Sequence, residues 1–407
     1  MNESKEIRVC NIYIILLITF VFIPIAGIFN SLIFNEYNVY ILSALFLFYC
    51  IYNMSAFSKS LFTRSTIYIF LLFIVYAISM AVPVPEFLYN LELVSLFCYF
   101  LFFVLGAVLF YDKEYITDLV WFLTLSYLFA YLARISMDLE GAIEGTNLSS
   151  GIVVVSLVPF VLINLKKYTR NYIMYSYVLV LFLMVWCAVI GARAVTLGFL
   201  FFLFTFHFWP LITRNRFVYI TYFLSCLFFM SLGVLYYIFF ITDPDFALLS
   251  NSGIGILSKR VGTRLDIWVH LVQVIVQGDW LWGNGSNLKT GDLTPLAYLD
   301  FSMNRANLSS HSTIFEVIYR IGVFGLSIFF ILIFSIWSFL WKSSGTNLTR
   351  IICSSIIMLI PICFSSTFLV FSAFHLRCAF VWILLGFGYG YTLSLAKMPK
   401  SKTNFSA

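Results

Sequence analysis

FVYITYFLSCLFFMSLGVLYYIFFI, residues 217–241, runs for 25 residues without a charged side chain. A helix rises ~1.5 Å per residue, so roughly 20 apolar residues cross a hydrocarbon core about 30 Å thick. This stretch is therefore long enough to span a bilayer. Working outward from it, eleven further stretches of the same kind begin near Asn11, Asn38, Thr66, Leu91, Thr117, Leu148, Asn171, Ala194, Thr313, Ile351 and Cys378. The pattern predicts an all-α polytopic membrane protein with about 12 transmembrane helices, the ninth and tenth separated by one long loop.

Composition agrees. The 407 residues are 62% hydrophobic and 10% charged, whereas a soluble domain carries about 25% charged residues. The 20% aromatic content suits helices that meet acyl chains with Phe and the interfaces with Tyr and Trp. The net charge of +6 does not point to nucleic acid, because the Lys and Arg do not gather on one solvated face. Eight cysteines lie mostly inside apolar runs and none falls in the long loop, so they read as small core residues and not as a disulfide framework. The first apolar stretch, Asn11 to Phe29, has no small-residue cleavage site and is followed directly by further spans. It is expected to be a retained helix.

Lys and Arg accumulate in cytoplasmic loops. With the N-terminus inside, 15 of the 24 basic residues fall on the inner segments beside only five acids, leaving that face at +10. The outer segments hold twelve acids against eight bases, or −4. Both termini are thus expected in the cytoplasm. The chain divides into residues 1–241 with helices one to nine, a large outward-facing loop over 242–310, and residues 311–407 with helices ten to twelve and a cytoplasmic tail. Arginines on the outer face run against the bias and mark candidates for function: Arg134, Arg193, Arg260, Arg264, Arg305 and Arg377.

Within the long loop, SKRVGTRLDIWVHLVQVIVQ (258–277) places Val261, Leu265, Trp268, Val272 and Ile275 at helical spacing, opposite Arg260, Arg264 and Asp266. An amphipathic helix lying on the outer leaflet is expected, with Arg260 and Arg264 four residues apart on one face. Residues 278–291, containing GNGSN, read as a turn-rich loop whose glycines match neither nucleotide-binding spacing. The tenth span opens with His311 in HSTIFEVIYRIGVFG, and Glu316 and Arg320 are spaced for a pair within the helix. A lone Arg near mid-bilayer costs at least ~2.5 to 3.5 kcal/mol, so the two are expected to neutralise each other. Such a pair either fixes helix packing or supports a site. Arg193 stands in GARA with no local acid, which suits either a snorkelling side chain or an anion ligand.

Four features together resemble the O-antigen ligase and polymerase superfamily of bacterial envelope glycan assembly: GARAVTLGF after the seventh span, RLDIW followed by WGNG in the long loop, HSTIFEVIYRIGVFG opening the tenth span, and the twelve-span plan itself. This chain has Ala192-Arg193-Ala194 where such proteins often have Ser-Arg-Gly, and His311-Ser312 where they often have His-Asn. The resemblance implies a GT-C-like fold and glycosyl transfer at the periplasmic face of the inner membrane. Undecaprenyl-pyrophosphate-linked oligosaccharide would be the donor, and a lipid-linked glycan or the lipid A core the acceptor. Membrane lipids and a chain-length regulator are further expected partners, and nucleic acid is not.

That chemistry needs fixed positive charge for the departing pyrophosphate and a base for the attacking hydroxyl. Arg193, Arg260 and Arg264 are the expected pyrophosphate ligands, and His311 the catalytic base. Glu316, Arg320 and Arg305 are supporting residues. No cofactor or metal is expected: the four histidines (207, 270, 311, 375) lack ligand spacing, and Asp243-Pro244-Asp245 faces away from cytoplasmic nucleotide sugars. Within this class an O-antigen polymerase is favoured over a ligase. A polysaccharide transporter or flippase is the rival of a different class, disfavoured because no related halves are visible and the long insertion follows span nine, not span six. A non-catalytic scaffold binding lipid-linked glycans would use the same arginines.

Overall fold

A computed structural model describes residues 71, 74, 99, 100, 103, 106, 107, 158–163, 165, 166, 169–189, 192–241, 268, 271, 272, 275, 280–283, 312–365 and 376–396. Among the described residues every regular element is helical and there is no strand. The main helices are α1 (Tyr172–Val189), α2 (Arg193–His207), the single turn α3 (Trp209–Ile212), α4 (Arg216–Ile241), α5 (Thr313–Leu340), α6 (Asn347–Ser365) and α7 (Leu376–Ala396). Apart from the turn α3, they fall at the sequence positions expected for spans seven to twelve. Three described segments are long and apolar enough to cross a membrane: Tyr172–Val189, Thr313–Ser343 and Asn347–Phe364. The stretch expected to be a retained first helix, most of the residues expected in spans two to six, most of the long loop and residues 397–407 lie outside the described residues.

Burial separates the centre of the bundle from its rim. The membrane-length part of α6 is 83% buried inside the protein, against 22% for α1. On α1 the side chains of Val178, Phe182, Val185 and Val189 are exposed, the arrangement expected of a helix that turns one face to lipid. Helix α6 is the post around which α2, α4 and α5 pack. Gly198 makes the α2 contact close, since a Cβ there would lie 2.9 Å from the Met358 carbonyl oxygen. A second close crossing joins the helical residues 99, 100, 103, 106 and 107 to α7. Side chains at Gly106, Gly386 and Gly390 would run into the backbone carbonyls of Ile383, Phe103 and Ala107 respectively. Gly386 and Gly390 are a small-xxx-small pair, which lets helix backbones approach where no hydrophobic force acts between helices.

An aromatic cluster ties α4 to α5. The Tyr219 and Trp337 rings stack with centroids 4.4 Å apart. The Tyr219 hydroxyl donates to the Trp337 carbonyl at 2.8 Å, and Trp337 Nε1 donates to the Tyr219 carbonyl at 3.2 Å. Trp209 packs edge-on against both rings, and its Nε1 donates to the Ser344 carbonyl at 2.9 Å. At the same end Arg350 donates to the Phe206 carbonyl, and the Thr346 hydroxyl meets that of Tyr391 at 2.8 Å. The α3–α4 turn and the α5–α6 turn therefore share one end of the bundle, and it carries Arg214, Arg216, Lys342 and Arg350. The first turns of α2 and α5 lie at the opposite end.

Candidate functional site

Helix α5 starts where the extended Ser312 accepts a long hydrogen bond, 3.5 Å, from the Phe315 amide. One turn further in, Arg320 Nε donates to Glu316 Oε1 at 2.6 Å, and the two side chains are 7% and 10% exposed. The expected pair is thus formed inside the protein. Each charge offsets the desolvation of the other.

Two residues beyond this pair the helix breaks. Gly322 has φ 69° and ψ −177°, a region open essentially to glycine alone. The break takes the Val323 and Phe324 amides out of the helical ladder, and such groups must find partners when buried. They find them in the long loop: Val323 N donates to the Trp280 carbonyl at 3.0 Å and Phe324 N to the Leu281 carbonyl at 3.2 Å. Gly283, also at positive φ (85°), closes the contact. A Cβ there would lie 2.5 Å from the Arg320 carbonyl carbon and oxygen and 2.6 Å from the Gly322 nitrogen. Reciprocally, a Cβ at Gly322 would strike the Leu281 carbonyl and lie 2.7 Å from the Trp282 nitrogen. The Trp282 ring covers Phe324, centroids 5.2 Å apart. Loop residues 280–283 are therefore pinned to the break in α5 by backbone hydrogen bonds, two glycines and a ring contact.

The loop touches α5 a second time. Residues 268, 271, 272 and 275 are helical, and Trp268, Leu271 and Ile275 are buried. Trp268 packs on Phe315, centroids 5.3 Å apart. An amphipathic segment was expected here, but with Val272 on its apolar edge and with that edge against the outer leaflet. Leu271 takes the buried place and Val272 is half-buried. The buried side chains of this segment, Trp268, Leu271 and Ile275, face protein, with Trp268 on the Phe315 ring.

Arg193 is the first residue of α2 and is exposed. Among the described residues it has no hydrogen bond or ion pair. A cation at a helix N-terminus opposes the macrodipole by about 0.3–1 kcal/mol, so the position does nothing for the helix, while the terminus and the guanidinium both favour an anion. Helix α2 is held by buried Val195 and Phe199 and by the close approach of Gly198 to α6. The other expected site residues, His311, Arg260, Arg264 and Arg305, lie outside the described residues, as does the Asp243–Asp245 pair. Among the described residues no three His, Cys, Asp or Glu side chains form a group able to hold a metal.

Sequence reasoning missed the glycine-lined junction between the loop and α5. The sequence carries a glycine interrupting the apolar run YRIGVFG and another directly after DWLW in a turn-rich segment, but neither names the other as its partner. No family model, no curated protein and no solved structure matches this chain.

Proposed function

We propose that this chain is a glycosyltransferase of the O-antigen polymerase and ligase type, a GT-C-like protein of about twelve spans in a bacterial inner membrane. It joins undecaprenyl-pyrophosphate-linked O-antigen repeat units at the periplasmic face. An acceptor sugar hydroxyl attacks the anomeric carbon of the donor. The new C–O bond forms as the bond from that carbon to the pyrophosphate oxygen breaks, the configuration inverts, and undecaprenyl pyrophosphate leaves with the electron pair. His311 takes the hydroxyl proton. Arg193, Arg260 and Arg264 stabilise the leaving pyrophosphate through forked charge-assisted hydrogen bonds. Glu316 and Arg320 support His311 from the first turns of α5, and Arg305 supports from the loop. No metal enters the step.

The observation that carries this reading is the Trp268–Phe315 contact at 5.3 Å. Arg264 precedes Trp268 by four residues, and His311 precedes Phe315 by four. The segments bearing the expected anion ligand and base are therefore fastened together four residues along the chain from each. The 280–283 junction on Gly322 fastens the same two segments a second time, and preorganisation of this kind is what transition-state stabilisation requires.

Deleting the chain from its host and resolving the surface polysaccharide by gel electrophoresis tests the reading and its acceptor. Lipid A cores bearing a single repeat unit are expected for a polymerase. Bare cores would reassign it as a ligase, and an unchanged ladder would contradict both. A liposome assay that separates glycan translocation from glycosidic bond formation distinguishes this enzyme from a flippase.

A further inference from the structure

At the basic end of the bundle, opposite the first turn of α5, a guanidinium stands without a carboxylate. Arg350 lies in the first turn of α6 and is half-buried. Its guanidinium covers the Phe206 ring, 4.0 Å from the centroid, and Nε and Nη2 both donate to the Phe206 carbonyl at the end of α2. Tyr172 and Tyr177 of α1 lie within electrostatic reach of it. The Tyr177 hydroxyl meets His207 Nδ1 at 3.1 Å, and the Tyr172 hydroxyl is buried without a hydrogen-bond partner. Among the described residues the ion pair is Glu316–Arg320, and no acid pairs with Arg350.

A half-buried guanidinium has five N–H donors in a fixed fork. The Phe206 carbonyl and the ring satisfy part of it but supply no countercharge. The Tyr177 hydroxyl and the exposed His207 ring share a hydrogen bond and so leave one donor between them, which joins the remaining guanidinium N–H groups at one junction of α1, α2 and α6. Several donors around one positive charge match the several oxygens of a phosphate better than they match chloride or a single carbonyl. Arg170, Arg214 and Arg216 are exposed at the same end and raise the local positive potential. From this junction the exposed Val178, Leu181 and Phe182 of α1 and Leu200 and Phe204 of α2 continue along the bundle, a track for acyl chains.

We propose that Arg350, Tyr177 and His207 form a binding site for a phosphate group, supplied by the headgroup of an anionic phospholipid whose chains lie along the exposed faces of α1 and α2. Basic pockets between membrane helices take such headgroups. The site stands apart from the proposed glycan chemistry and does not depend on it.

The test compares thermal unfolding of the full-length protein in nanodiscs of pure phosphatidylcholine and in discs containing phosphatidylglycerol, with inorganic phosphate added to the phosphatidylcholine discs as a third arm. A ligand that binds the folded state raises Tm, so wild type should gain a few degrees with phosphatidylglycerol. Arg350→Gln should abolish that gain. Tyr177→Phe combined with His207→Ala, which keeps the Arg350–Phe206 bond, should reduce it and decides the matter if Arg350→Gln does not fold. An equal, Arg350-dependent gain from inorganic phosphate alone would support the site with a soluble occupant. A gain that is the same in wild type and in the variants, or no gain from either source, would overturn the proposal.

Discussion

Glu316 and Arg320 face each other across one helical turn, both withdrawn from solvent. Breaking such a pair from one side costs about 3–5 kcal/mol because the remaining charge is stranded, whereas replacing both partners with apolar residues of similar volume is close to neutral. Glu316→Leu and Arg320→Met should each lower the unfolding free energy by roughly that amount, and the double variant, apolar at both positions, should recover most of it. Chemical denaturation of the four proteins in one detergent gives the double-mutant cycle, and strictly additive losses would show that the pair is uncoupled. Arg193 should behave in the opposite way. With no described partner and an exposed side chain, Arg193→Ala should leave stability within about 0.5 kcal/mol of wild type. It should nevertheless weaken binding of the lipid-pyrophosphate donor by about ten- to a hundredfold, the loss of one charge-assisted hydrogen bond of ~1.5–3 kcal/mol. Donor titration beside a melting curve checks both halves. At this scale the sequence was informative: Glu316–Arg320 was legible from i, i+4 spacing alone, and Arg193 from its lack of a local acid. The Arg350 cluster was not, because Tyr172, Tyr177, Phe206, His207 and Arg350 meet only after three helices pack.

At the scale of elements, helix α5 and the loop share one joint. A Cβ at Gly322 would force φ 69° on a residue with a side chain and drive it into the Leu281 backbone, a cost of about 1–3 kcal/mol for the conformation alone. Gly322→Ala should therefore detach residues 280–283 from α5. Hydrogen exchange at the Val323 and Phe324 amides should then speed up while exchange in α6 is unchanged. Gly283→Ala should have the same effect, and combining the two should add little, since both open one joint. Exchange at those amides equal to wild type in both variants would show that the loop does not protect them. Helix starts were legible to within a residue or two for α1, α2, α4, α5 and α7, because a long apolar run has few places to begin. Helix α6 starts at Asn347, four residues before the apolar run at Ile351. The reason is visible in its first turn: the Thr346 hydroxyl accepts from the Thr349 amide at 3.2 Å, and Arg350 folds back onto Phe206. The break at Gly322 was not legible, because an isolated glycine in an apolar helix usually marks close packing, and only the facing loop distinguishes the two.

For the whole molecule, a buried post formed by α6 holds α2, α4 and α5, and the loop is clasped to α5 at Phe315 and at Gly322. The all-helical membrane architecture followed from apolar length and charge bias, properties that the bilayer imposes on any spanning chain. The close crossing of α7 with Phe103, Gly106 and Ala107 did not, although Gly386 and Gly390 carry its signature, because a glycine pair names no partner helix. The proposed activity depends on Arg264 and His311 standing beside one lipid pyrophosphate, with the loop and α5 fixed to each other first. The most direct test is glycan transfer by the purified protein in liposomes with lipid-linked oligosaccharide as donor and acceptor, in excess chelator, comparing wild type with His311→Ala and measuring donor binding in parallel. Wild type should form polymer, and His311→Ala should bind donor normally yet form none. Transfer by His311→Ala at the wild-type rate, or no transfer by wild type under conditions where it binds donor, would contradict the account.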